Sequence, residues 1–166
     1  MPSTQAPFGQ DTVRQEMEAA VVAAGLPEEQ AEAGFPKPRH SAGAAATERE
    51  RKVAALAARL SPCVVTWSSD DATGASEATA AKARRQFAVM LADLGARGWK
   101  ETTPAEDVPV ESGGVYVMAT YEKRGWILNA RHSSMHPWVE STVMATKESC
   151  FDSLTDEETG ILEDVD

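Results

Sequence analysis

Apolar positions recur along this chain with two different periods, and the change of period divides it. Val13, Met17, Ala20, Val21 and Ala24 fall on one helical face. Thr12 with Gln15 predicts a capping box opening that helix, and Gly25 predicts its stop. Leu26-Pro27-Glu28-Glu29-Gln30-Ala31 predicts a short second helix with Pro27 in its first turn. The run from Phe35 to Gly43 holds Pro36 and Pro38 and predicts an extended linker, since residues before proline avoid the helical region. Thr47 and Glu50 form another capping box, followed by a stripe of Val53, Leu56, Ala57 and Leu60 that Pro62 ends. The strongest helical pattern runs from Ser76 to Leu94, with Ala83, Phe87, Met90, Leu91 and Leu94 on one face and Gly95 as its stop.

Alternation takes over elsewhere. Cys63-Val64-Val65-Thr66-Trp67-Ser68 predicts a strand with Cys63, Val65 and Trp67 on one side. Between Gly114 and Cys150 lie three alternating runs, Val115–Tyr121, Trp126–His132 and Val139–Glu148. Lys123-Arg124-Gly125 predicts a three-residue hairpin with glycine in the left-handed region, and Ser133-Ser134-Met135-His136-Pro137 predicts the second connection. The stretches from Asp70 to Gly74 and from Thr102 to Gly113 predict loops. Trp99 is expected to fold back on the long helix or to begin a short strand. Trp67, Trp99 and Trp126 occupy positions expected in the core.

These elements predict an α+β fold: N-terminal helices, then β-α-β-β-β, with one long helix packed across one face of an antiparallel sheet. A chain of 166 residues suits one domain. The expected organisation is a flexible lead-in over 1–10 and a single α+β domain over 11–151, helical over 11–60 and helix-on-sheet over 61–151. An acidic tail over 152–166 is expected to attempt one helical turn near Thr155–Glu158 and otherwise to stay mobile.

Charge sharpens the picture only at the end of the chain. The formal net charge is −10, yet seven acids lie after Cys150 with no Lys or Arg among them. The remainder carries 19 acidic and 16 basic residues, so the acidity belongs mainly to the tail. No basic stripe exists to neutralise phosphates, so nucleic-acid binding is not expected. No run reaches the roughly 18 apolar residues of a membrane span. Met1 to Pro7 lacks the basic and apolar regions of a signal peptide, which leaves a cytosolic protein and an exported chain with its leader removed both open. The two cysteines, Cys63 and Cys150, do not by themselves decide between reduced half-buried thiols and one bridge joining the start of the first strand to the end of the last.

Chemical motifs are sparse. His132 and His136 have a spacing that would suit zinc on a helix, but here it straddles a strand end and a proline-containing loop. Asp70 and Asp71 beside Gly74 lack the further oxygen ligands of a calcium loop. Ser133 and Ser134 neighbour His132 without a nucleophile elbow, and no phosphate-binding glycine pattern appears. No catalytic, cofactor-binding or metal-ligating residue is therefore assigned. Met135, His136 and Trp138 form the candidate partner contact, an aromatic beside Met135 and His136 at a hairpin tip, with Trp138 folding back over the sheet edge as the alternative.

The segments Leu94-Gly95-Ala96-Arg97-Gly98-Trp99, Arg124-Gly125-Trp126-Ile127-Leu128-Asn129-Ala130-Arg131 and Ala145-Thr146-Lys147-Glu148-Ser149-Cys150-Phe151 resemble small lipoproteins of actinobacteria, over roughly Cys63–Phe151. The resemblance implies an exported globular domain with an N-terminal lipid anchor, inferred and not seen in this chain, and it supplies no catalytic residues to carry over. Export favours a Cys63–Cys150 disulfide. The expected function is that of a non-enzymatic extracellular or cell-surface binding module, using the Met135–Trp138 loop or the open sheet face toward an unknown protein or small molecule. A small hydrolase built from scattered residues and an acidic inhibitor or immunity-type protein are the alternatives.

Overall fold

The computed structural model describes residues 8–26, 32–33, 47–69, 72–73, 77–109, 114–135 and 138–163. Helix α1 (Gln10–Ala23) buries Val13, Met17, Ala20 and Val21, the predicted face. Its start differs from expectation: Gly9 is the N-cap, so Thr12 and Gln15 lie inside the helix and form no cap. Gln10 explains the earlier start. Its side-chain amide donates to the carbonyls of Ser61 (2.7 Å) and Val64 (2.9 Å), a tertiary anchor that outweighs the local capping preference. The helix ends as predicted, with Gly25 at φ +74° and the Leu26 N–H reaching back to the Val21 carbonyl. Residues 27–31 of the expected second helix and the Phe35–Gly43 linker lie outside the described residues.

Strand β1 (Glu32–Ala33) precedes α2 (Glu48–Leu60), which opens on the predicted Thr47–Glu50 capping box with both reciprocal bonds formed. A 3₁₀ turn, Ser61–Cys63, leads into β2 (Val64–Ser68). Cys63 thus sits in the turn ahead of the strand. Within the expected Asp70–Gly74 loop, Ala72–Thr73 form the short β3; Asp70, Asp71 and Gly74 lie outside the described residues. Helix α3 (Glu77–Ala96) runs through Gly95. The residue that stops it is Gly98, at φ +96°, with the Trp99 N–H on the Leu94 carbonyl. This closing turn folds Trp99 into the core, where it is 3% exposed.

The polar stretch after Trp99 is strand β4 (Lys100–Pro109), which overturns the loop expected there up to Pro109. It then comes β5 (Val115–Lys123), β6 (Trp126–Met135) and β7 (Trp138–Lys147), all antiparallel. The spatial order is β1-β2-β7-β6-β5-β4, with β3 also paired to β7. Five strands have five or more residues, and β1 and β3 have two each. Arg124 (φ 47°) and Gly125 (φ 81°) join β5 to β6, and Lys123 pairs with Trp126. The hairpin therefore has two loop residues, both left-handed, and not the three expected. Ser133, Ser134 and Met135 extend β6 instead of forming a connection.

The sheet has one buried face. Val117, Ala119 and Tyr121 of β5, Trp126, Leu128 and Ala130 of β6, Val143 and Ala145 of β7, and Val65 and Trp67 of β2 form a single cluster with the inner faces of α1 and α3. Phe87, Met90, Leu91 and Leu94 come from α3, as its spacing predicts. At β2 the opposite face is covered too, since Val64 and Thr66 are also buried. The rim where α1, α3 and the β5–β6 turn meet is polar: Lys123 pairs with Glu16, donates to the Arg97 carbonyl (2.6 Å) and lies over the Phe8 ring.

After β7 comes α4 (Glu148–Asp152), so Cys150 lies on a helical turn beyond the last strand, not at the strand's end. Cys63 and Cys150 form a disulfide with Cα atoms 6.5 Å apart. The sheet makes this possible: β2 and β7 pair with Val64 opposite Thr146, which places the chain before one strand beside the chain after the other. The acidic tail, expected to be mobile beyond one helical turn, instead forms α5 (Asp156–Glu163). No helix among the described residues is long and apolar enough to cross a membrane.

Candidate functional site

Alternation along the strands sends every second side chain away from the core, and the opposite sheet face is where polar chemistry collects. Cross-strand register aligns it in rows. Val108, Tyr116, Ser133 and Glu140 are successive partners across β4, β5, β6 and β7. Glu106, Met118, Arg131 and Thr142 form the next row. A shallow groove of about 280 Å³ is lined by Tyr116, Arg131, Ser133, Glu140 and Thr142. Arg131 is exposed, the other four are half-buried, and Val108 and Met118 beside them are 46% and 39% exposed. One guanidinium, one carboxylate, three hydroxyls and an aromatic ring thus share a solvent-facing patch with an apolar margin.

The candidate partner contact falls at the β6–β7 connection. Met135 and Trp138 are the last register pair of the β6–β7 hairpin. Their side chains, and His136 altogether, lie outside the described residues, as does His40.

His132 is the one histidine with a described environment, and it points inward. It is fully buried, its Nδ1 lies 2.8 Å from Ser141 Oγ, and its ring packs against Phe87 with centroids 5.4 Å apart and planes tilted by 31°. Burial lowers its pKa below the usual 6.5, and the nearby Arg84 guanidinium lowers it further. Its Nε2 has no hydrogen-bond partner among the described residues. Ser133 and Ser134 do not join it: Ser133 faces the opposite side of the sheet. Ser141 is the serine that sequence proximity misses, although it is the cross-strand partner of His132. The pair lies beneath α3 with Ser141 only 4% exposed, so a substrate has no direct approach to it. Among the described residues no group of three or more His, Cys, Asp or Glu could hold a metal.

Two further polar groupings pair residues of the chain with one another. The Tyr121 hydroxyl donates to Glu101 Oε2 (3.2 Å), and burial followed by the Glu101 charge pushes its pKa up to about 12. A larger groove of about 480 Å³ separates α2 from α5, but Arg59 and Lys52 on one wall pair with Glu158 and Glu157 on the other. These charges face each other, so we place the candidate site on the sheet face despite its smaller volume.

No family model matches the chain, and no curated protein or solved structure matches it.

Proposed function

We propose that the protein is a binding module of an oxidising, extracytoplasmic compartment, and that it holds a polar ligand flat against the solvent face of its sheet. The observation that carries this reading is the polar groove around Tyr116 and Arg131, set on the three long paired strands β5, β6 and β7, whose other face is packed under α1 and α3. A paired sheet presents its side chains with little freedom, so such a patch loses little entropy on binding. Arginine and tyrosine are also the side chains that most often dominate binding energy. The disulfide supports the compartment, because such bonds persist where thiols are not kept reduced. Membrane attachment through a lipid belongs to the same proposal and rests on the resemblance alone.

The test is a screen of a glycan array and a peptide library with the wild-type chain, Arg131→Glu and Tyr116→Ala. Ligands of the wild type are expected to bind each variant about tenfold or more weakly, as for residues at the centre of an interface. A screen in which no ligand distinguishes the wild type from the variants contradicts the proposal.

A further inference from the structure

The stretch that follows β7 is attached in an unusual way. From Glu148 to Ile161 no side chain is fully buried, and the apolar ones, Phe151, Leu154 and Ile161, are only half-buried, so apolar packing holds this stretch less firmly than it holds the core. The backbone N–H of Glu148 reaches the Gly125 carbonyl (2.9 Å), and Cys150 is bonded to Cys63 just beyond the end of α2. Further on, α5 touches α2 through Arg59–Glu158 and Lys52–Glu157, the second at 3.8 Å. Ion pairs this exposed contribute little and are screened by salt.

Glu158 has two tasks. Its Oε1 accepts the Thr155 N–H (3.1 Å) while the Thr155 hydroxyl accepts the Glu158 N–H (3.2 Å), a capping box that starts α5. Its Oε2 meets Arg59. The carboxylate that nucleates the helix therefore also docks it. Even so, a helix of 8 residues is too short to persist in water without tertiary support. The covalent bond that positions α4 beside the end of α2 supplies the missing constraint.

We infer that α5 is a strap latched onto α2 by the Cys63–Cys150 disulfide, and that reducing the bridge releases it while the sheet stays folded. Both cysteines are half-exposed, within reach of a small dithiol. One thiolate of the dithiol attacks a bridge sulfur and breaks the S–S bond, forming a mixed disulfide. Its second thiolate then closes the dithiol into a cyclic disulfide, and both cysteine sulfurs end as thiols after taking up protons. The sheet has its own support, since β2 and β7 are joined by five register pairs and Trp67 and Val143 lie in the core. Release leaves Lys52 and Arg59 without their carboxylates and uncovers Leu56, which is 5% exposed, on the groove wall.

Native-state hydrogen exchange of the full chain tests this, comparing the oxidised protein, the protein reduced with a dithiol and alkylated, and the Cys63→Ser/Cys150→Ser variant. Amides of α5 are expected to exchange at least about tenfold faster in both bridge-free forms, with β5, β6 and β7 still protected. In the oxidised protein Glu158→Gln is expected to loosen α5 alone, and added salt to narrow its difference from wild type. Unchanged α5 protection after reduction overturns the inference, and so does loss of protection in α5 and the sheet together.

Discussion

At the scale of residues, His132 carries the sharpest consequence. It is held neutral by burial, with Arg84, itself paired with Asp107, adding to the effect. The unfolded chain takes up a proton at this residue as pH falls through about 6.5, while the folded chain resists until a lower pH. Its contribution to stability is therefore present above pH 6.5 and declines as pH falls from there toward the folded value. Urea midpoints at pH 7.5 and 5.5 are expected to differ less for His132→Gln than for the wild type; parallel profiles would contradict this. Ser141, which bonds His132, could not be picked out from the chain alone. A serine nine positions along becomes a partner only once the β6–β7 register is known, whereas Ser133 is adjacent but points the other way.

At the scale of elements, the end of α3 separates two glycines that look alike in sequence. Gly98 has φ +96° and terminates the helix, while Gly95 lies inside it with nothing within 4 Å of an added Cβ. Gly98→Ala is expected to cost about 1–2 kcal/mol through left-handed strain. Gly95→Ala should instead stabilise by about 0.5–1 kcal/mol, because alanine is the better helix interior. Chemical denaturation reads both, and an equal sign for the two would show that the terminator is misplaced. The elements that were legible are those with a buried face: α1, α3 and the strands β5, β6 and β7 all advertise theirs by spacing. Strand β4 was not. Its residues from Lys100 to Val108 are exposed, so no apolar alternation marks it, and Pro104 with two register shifts interrupts its pairing. Those same features suit an edge strand, which must avoid pairing with another chain. The helix α5 was hidden for a related reason: its docking is electrostatic, and acids in a tail read as solvated.

At the scale of the whole molecule, the layer of α1 and α3 over a meander follows from the change of hydrophobic period, and the three core tryptophans follow with it. The solvent face of the sheet was legible as a face, but its groove depends on register that aligns Tyr116 with Ser133 and Glu140. What unites both ends of the molecule is the bridge. It spans 87 residues of sequence, and closing such a loop removes about 4–5 kcal/mol of unfolded-state entropy in the chain model. The compartment, the strap and the tail's order all depend on its presence in the folded protein. Alkylation of the denatured, unreduced chain followed by intact-mass measurement tests it most directly. No added alkyl groups are expected before reduction, two after it, and one cross-linked peptide pair containing Cys63 and Cys150. Two alkylated cysteines before any reductant is added would contradict it.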